Sequence, residues 1–240
     1  LPAWEYYGSE QGEWLGIAVS GGGNINGDAF ADILIGAYKG GANREGWVGL
    51  FSGSASGPLP LPAWQMFGGH KGSEFGGAVD IAGDITHDGY DDIVIGAANY
   101  TGTAPSDQAG EGAVYVYYGG MGELSLTPAW MVEGELQAAR LGAAVAGGYI
   151  NGDEYADVVA GMAGYTNAEF ENAGAAYVYF GTATGLSTTA GWLDYGEQAS
   201  GQYGLEVNVA GDVNGDGYED VLIGEPYFDH IVDVTYYDAG

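Results

Sequence analysis

The 240-residue chain has no cysteine. That excludes a disulfide framework and any thiolate metal site, and it leaves the redox compartment unread. Basic residues are almost missing as well: Lys39, Arg44, Lys71 and Arg140 stand against 33 Asp and Glu, a formal net charge of −29. Nucleic acid is thereby excluded as a partner, because phosphate neutralisation needs clustered Lys and Arg. An anionic membrane surface is disfavoured for the same reason. No apolar run approaches the roughly 20 residues that cross a bilayer, so membrane insertion is not expected. Amphipathic helical periodicity is also missing, which argues against βαβ units. Most of the carboxylates read as a solvating coat. What such a surface attracts is cations.

Glycine, by contrast, is abundant at 47 residues, and so are aromatics, with 19 Tyr and 6 Trp. Disordered chains are poor in aromatic and β-branched residues, so glycine here marks tight turns between many short strands. The chain is a repeat. Asp32-Ile33-Leu34-Ile35-Gly36 returns as Asp92-Ile93-Val94-Ile95-Gly96, Asp157-Val158-Val159-Ala160-Gly161 and Asp220-Val221-Leu222-Ile223-Gly224. Other runs recur in the same order. Pro2-Ala3-Trp4 is matched at Trp64, Trp130 and Trp192, and Leu15-Gly16 at Phe75-Gly76, Leu141-Gly142 and Tyr203-Gly204. Trp47 to Phe51 is matched by Ala113 to Tyr117, Ala176 to Phe180 and, more loosely, Val232 to Tyr236.

Each unit holds four short strands bounded by Gly, Asn, Asp and Pro. Runs such as Ile93-Val94-Ile95 are apolar on both faces, as a strand between two neighbouring sheets must be. A small four-stranded sheet of this kind is stable only when stacked on copies of itself, and radial stacking makes a propeller. The expected fold is therefore all-β: one β-propeller domain over 1–240, with four four-stranded antiparallel blades near 8–67, 68–133, 134–195 and 196–240 plus 1–7. The chain starts with an outer strand, Leu1 to Tyr7, and stops after a third strand, Ile231 to Tyr237. The N-terminal strand is thus expected to complete the last blade, in cis within one chain or in trans between copies.

Between the first and second strands of every unit lies an acidic loop. The fourth reads Asp212-Val-Asn214-Gly-Asp216-Gly-Tyr218-Glu-Asp220. Side-chain oxygens at positions one, three, five and nine, with the carbonyl of position seven, suit a hard, many-coordinate cation, and calcium better than magnesium. The second loop offers Asp84, Thr86, Asp88, Tyr90 (carbonyl) and Asp92; the first offers Asn24, Asn26, Asp28, Phe30 (carbonyl) and Asp32. The third has Tyr149 at position one, then Asn151, Asp153, Tyr155 (carbonyl) and Asp157. Up to four Ca2+ ions are expected, with affinity falling from loop four to two, one and three. Asx-rich turns that cap only their own backbone are the alternative.

The pairs Phe75-Gly76 and Ile95-Gly96-Ala97, with the cation loop between them, resemble the FG-GAP repeats of integrin α-subunit heads. The resemblance covers essentially the whole chain. It implies a propeller with calcium on one face and partners on the other. Family propellers usually have seven blades, whereas four are present here, and Gly-Ala-Pro degenerates to Gly36-Ala37-Tyr38, Gly161-Met162-Ala163 and Gly224-Glu225-Pro226. The function this implies is an extracellular or cell-surface adhesion, protein-interaction or assembly module that binds a protein or glycan ligand or other copies of itself. The alternatives are a filament or surface-layer subunit joined by end-strand exchange, and an accessory propeller of a carbohydrate- or lipid-acting enzyme.

Catalysis itself has little support. His70, His87 and His230 lie in different repeats without metal spacing, and no nucleophile elbow or phosphate loop is present. His87 fills the loop position that Gly215 occupies in the fourth repeat. The longest insertions, Asn99 to Glu111 and Tyr165 to Asn172, are the candidate recognition loops.

Overall fold

The computed structural model describes residues 3–103, 109–122 and 124–228, together with the backbone of a last strand at 234–237. The described residues form fifteen strands and no helix. The first sheet holds β1 (Leu15–Gly21), β2 (Ile33–Ala37), β3 (Trp47–Phe51) and β4 (Trp64–Phe67), in that order. The second holds β5 (Phe75–Gly83), β6 (Asp92–Ala97), β7 (Ala113–Tyr117) and β8 (Trp130–Glu133). The third holds β9 (Leu141–Gly148), β10 (Asp157–Met162), β11 (Ala175–Tyr179) and β12 (Trp192–Tyr195). The fourth has β13 (Glu206–Val209), β14 (Val221–Gly224) and β15 (Val234–Tyr237). All pairings are antiparallel, so each sheet is an up-and-down meander, the form of a propeller blade.

The core lies between blades. Leu34, Val48 and Leu50 of the first blade pack with Ile93, Ile95 and Tyr117 of the second. Val94, Val114 and Val116 pack with Val158, Ala160 and Tyr179 of the third. Val159, Ala176 and Val178 pack with Val207, Val221 and Ile223 of the fourth. This is why the middle strands read as unbroken apolar runs: alternate residues serve opposite neighbours.

Two glycines per repeat fix the approach of the blades. The first is Gly16, Gly76, Gly142 and Gly204, with φ of 83°, 80°, 80° and 77°. That left-handed backbone coincides in β1 and β5 with a break in register before Ala18 and Ala78. The second lies on the neighbouring blade. A Cβ on Gly36 would strike the carbonyl oxygen of Gly76, one on Gly96 that of Gly142, and one on Gly161 that of Gly204. Backbone meets backbone at all three junctions.

The inner strands β1, β5, β9 and β13 together line a central cavity of ≈ 430 Å3. Asp80 on β5 spans three blades beside it. Its carboxylate accepts from Ser20 Oγ (2.7 Å) on one side and from the Gly147 N–H (3.0 Å) on the other, and burial raises its pKa.

Two features differ from expectation. Residues 3–7 form no strand. Trp4 nevertheless sits on Phe51 (centroids 5.3 Å, interplanar 72°) as Trp64 sits on Tyr117 (5.1 Å, 64°) and Trp130 on Tyr179 (5.0 Å, 65°). The segment thus lies in an outer strand's place against the first blade, without a sheet of its own. Leu1, Pro2 and residues 231–233, where its pairing with the last blade was expected, lie outside the described residues. The second difference is register: Gly224 faces Val234 and Gly161 faces Ala176 as Gly36 faces Val48, so β15 aligns one residue later than the match of Val232 with Trp47, and β11 one residue earlier than the match of Ala176 with Trp47. A stretch as irregular as Val-Asp-Val-Thr-Tyr leaves such a slip undetectable by pattern alone.

Candidate cation loops

The meander order puts the four β-strand-one to strand-two loops at one end of the blades. Strand-two to strand-three loops and the links between blades lie at the other end. All four acidic loops therefore share one face.

Each loop is wound by its own side chains. The position-three amide oxygens of Asn26, Asn151 and Asn214 accept from the N–H of Asp28 (2.8 Å), Asp153 (2.9 Å) and Asp216 (2.8 Å). The position-five carboxylates of Asp28, Asp88, Asp153 and Asp216 accept from the N–H of Phe30 (2.7 Å), Tyr90 (3.1 Å), Tyr155 (2.8 Å) and Tyr218 (3.0 Å). These are Asx turns in series. Position four is left-handed in every copy: Gly27 (φ 74°), His87 (56°), Gly152 (74°) and Gly215 (81°). His87 is the strained member, and its Nδ1 lies 3.0 Å from the Glu154 carbonyl of the next loop.

Loops two and four differ from loops one and three. Only they carry a left-handed glycine at position six, Gly89 (φ 94°) and Gly217 (98°), where Ala29 and Glu154 stand in the others. They are also the two with aspartate at position one. Asp84 accepts from the N–H of Asp88 (3.0 Å) and Gly89 (2.7 Å), and Asp212 from Gly215 (2.6 Å), Asp216 (3.1 Å) and Gly217 (2.9 Å). Asn24 instead donates from Nδ2 to the Asp28 carbonyl at 2.6 Å.

The position-nine aspartates, Asp32, Asp92, Asp157 and Asp220, are fully buried. Each accepts from the position-two N–H: Ile25 (3.0 Å), Ile85 (2.8 Å), Ile150 (3.0 Å) and Val213 (2.7 Å). In the first three the other oxygen takes a glycine N–H from the turn after strand three: Gly53 (3.0 Å), Gly119 (2.8 Å) and Gly181 (2.9 Å). Burial pushes their carboxyls up, Asp92 to about 7 and Asp157 to about 6, with the backbone donors offsetting part of it. The neighbouring carboxylates Asp88 and Asp84 raise Asp92 further.

Among the described residues no three Asp, Glu or His side chains are gathered closely enough to hold a metal ion. Their oxygens are turned onto backbone N–H groups instead. Three buried oxygens at expected ligand positions nonetheless have no hydrogen-bond partner: Asn24 Oδ1, Thr86 Oγ1 and Asp220 Oδ1. An unpaired buried acceptor costs on the order of 1–3 kcal/mol, and a cation satisfies it. The donor set is thus all oxygen and partly unsatisfied, which fits calcium.

Sequence reading missed how the loops are joined. The position-eight N–H of one loop donates to the position-one carbonyl of the loop before: Asp91 to Asn24 (3.2 Å), Ala156 to Asp84 (3.0 Å) and Glu219 to Tyr149 (3.4 Å). The side chains of Asp91 and Glu219 also accept the position-one N–H of Asn24 (2.6 Å) and Tyr149 (2.7 Å). The position-seven ring of each later loop covers position four of the earlier one: Tyr90 on Gly27, Tyr155 beside His87 (6.0 Å) and Tyr218 on Gly152. The acids at equal offsets, Asp91 and Glu219, were the available signal.

At the opposite face lie all four basic residues, in the loops after β2, β4 and β8. Lys39 Nζ sits 4.8 Å from the Trp14 ring and 4.7 Å from that of Tyr38. Arg140 pairs with Glu74 at 3.7 Å. The 165–172 insertion is also here, folded by Asn167 Oδ1, which accepts from Glu169 and Phe170 N–H, and stacked through Tyr165 on Tyr195 (5.0 Å). In the Asn99 to Glu111 insertion, residues 104–108 lie outside the described residues.

The profile of the FG-GAP repeat matches residues 75–117 and 206–240. Integrin alpha-5 of Xenopus laevis is 28% identical over 208 residues, 84% of this chain and 19% of that protein. Integrin alpha-6 of Homo sapiens is 30% identical over 214 residues, 88% of this chain and 17% of that protein. Phosphatidylinositol-glycan-specific phospholipase D of Bos taurus is 32% identical over 152 residues, 60% of this chain and 18% of that protein. The chain therefore spans under a fifth of the length of these relatives. At the junctions of the first and second and of the second and third blades, the glycines in contact include those of Phe75-Gly76, Gly36-Ala37 and Gly96-Ala97. The chain carries FG-GAP repeats, over 75–117 and 206–240, and integrin α subunits are among its relatives.

Proposed function

We propose that this chain is a calcium-stiffened recognition module of an extracellular or cell-surface protein, whose loops opposite the cation face contact a protein or glycan ligand. The observation that carries the calcium reading is the set of unpaired oxygens Asn24 Oδ1, Thr86 Oγ1 and Asp220 Oδ1, in three different loops and all at ligand positions. Calcium would be held by the side chains of positions one, three, five and nine and the carbonyl of position seven. Bound there, it would neutralise carboxylates that otherwise repel across one face. Loops four and two are the stronger sites, because aspartate at position one and glycine at position six occur together in them. The recognition reading rests on loop differences between repeats, and on the gathering of every basic residue at one end of so acidic a chain. In this reading 1–240 is one propeller domain, with blades near 8–67, 68–133, 134–195 and 196–240 plus 1–7.

Calcium titration followed by calorimetry and thermal melting tests the first part. Each site filled at one hundred times its Kd adds about 2.7 kcal/mol to stability. A melting temperature indifferent to chelator would remove calcium from the account. Grafting the 165–172 insertion onto another blade, with loss of ligand capture, tests the second.

A further inference from the structure

One backbone position takes a left-handed conformation in all four repeats, and no repeat puts glycine there. It lies two residues before the first signature glycine: Trp14 (φ 59°), Glu74 (62°), Arg140 (61°) and Gln202 (56°). The turn recurs too, the carbonyl of Glu74 accepting from the Gly77 N–H (3.0 Å), that of Arg140 from Ala143 (3.1 Å) and that of Gln202 from Leu205 (3.0 Å). A chain with 47 glycines that keeps a side chain at such a position keeps it for what the side chain does. These residues stand where the chain enters each inner strand, at the face opposite the cation loops.

Two of them meet. Arg140 Nη2 lies 3.7 Å from Glu74 Oε2, its one ion pair among the described residues, and the arginine side chain is 52% exposed. A guanidinium presents its donors as a planar fork that grips a carboxylate two to two, and one long contact leaves that fork largely unused. Beside the pair is a cavity of ≈ 240 Å3, walled by Tyr38 and floored by the small residues Gly77, Ala98 and Ala143. Glu74, Arg140 and these four residues all belong to three consecutive blades, the first to the third. Lys39 Nζ, 4.7 Å from the Tyr38 ring, puts a second cation at the same rim.

We propose that Arg140 anchors a carboxylate side chain of a protein partner in this cavity, with Glu74 holding the guanidinium until the partner's carboxylate displaces it. This rests on the reading of the rim as the recognition face, and it names the group that the face takes. A net charge of −29 repels an acidic partner at long range, so the carboxylate belongs to a neutral or basic segment that the field draws in.

A capped Lys-Ala-Glu-Ala-Lys peptide and its Lys-Ala-Gln-Ala-Lys counterpart, titrated into isotopically labelled protein in calcium, test the assignment. Arg44 and Arg140 are the two arginines of the chain, so the Arg140 Nε–H resonance is identified by its loss in Arg140→Gln. The glutamate peptide should bind wild type about tenfold more tightly than the glutamine peptide and shift that resonance. Arg140→Gln should erase the difference, and Glu74→Gln, which removes the internal competitor, should widen it. Both variants should melt with wild type, because the pair is partly exposed. Equal binding of the two peptides to wild type would overturn the proposal. So would a glutamate preference that survives in Arg140→Gln, or one that shrinks in Glu74→Gln. An early-melting Arg140→Gln would make the pair a strut between blades and sink the idea as well. Ligand capture through the 165–172 insertion, without any preference for glutamate, would remove this anchor and leave the recognition reading standing.

Discussion

The hydroxyl of Tyr149 accepts the backbone N–H of Asp84 at 3.3 Å, across the junction of the second and third blades. At the junctions on either side, a position-eight acid of the later loop accepts the position-one N–H of the earlier one, Asp91 from Asn24 and Glu219 from Tyr149. The third loop has Ala156 at position eight and cannot do this. Its position-one tyrosine reaches back and supplies the acceptor. A phenol that looks like a spoiled calcium ligand is thus a repaired inter-blade link. Tyr149→Phe should cost about 1 kcal/mol in chemical denaturation. It should leave calcium binding at the fourth loop unchanged. A loss of calcium stoichiometry would instead make Tyr149 a ligand.

Metal occupancy should follow the loop geometry. Asp216→Ala removes a position-five carboxylate from the loop with the fullest donor set, and Asp153→Ala removes one from the loop headed by Tyr149. Calorimetric titration should show the first losing more calcium enthalpy and more thermal protection. Equal losses would undo the ranking.

Stability without calcium should depend on pH in an unusual direction. Burial raises Asp92 to about 7 and Asp157 to about 6, from 3.8. Between about pH 4 and 7 the native state keeps protons that the unfolded chain has released, so stability falls as pH rises through that window. The total is on the order of a few kcal/mol. Chelated protein should melt higher at pH 5 than at pH 8, and Asp92→Asn should flatten the difference. A calcium-loaded sample should lose it, because the cation favours the ionised form.

Gly96→Ala should destabilise the fold by about 2 kcal/mol or more, since its Cβ would strike the Gly142 carbonyl and only backbone movement could relieve it. Gly89→Ala, at a left-handed turn with nothing within 4 Å, should cost less, about 1 kcal/mol. Urea denaturation of the pair separates crowding from backbone strain.

The blades were legible because their signals are local and repeated four times. The Asp-Ile-Leu-Ile-Gly anchor sets strand two, and its apolar run declares two buried faces. The sites were legible as oxygen-rich loops, but the roles within them were not. Nothing in the spacing of Asp32 or Asp157 tells that both carboxylate oxygens take backbone N–H groups, since those donors, Gly53 and Gly181, lie more than one strand away. Tyr149 was read only as position one of the loop ranked last for calcium, whereas its contact is with the neighbouring blade. The ends were hardest. Trp4 matches Trp64 and Trp130 in sequence and in its aromatic contact, yet residues 3–7 make no ladder, because a ladder needs a partner edge that pattern cannot supply.

The meeting of Gly36 with Gly76, repeated along the chain, has a bearing on how such proteins can change. A seam formed by a main-chain carbonyl against a bare α-carbon carries no side-chain identity, so it cannot distinguish one blade from another. What tells one blade from another is the covalent order of the polypeptide and the side chains packed farther out between the sheets. Duplication, deletion or shuffling of whole units would meet a compatible seam each time, while the loops at either end diverge freely. The glycine seam is a common coupling, and individuality lies in the side chains around it and in the loops at the rims.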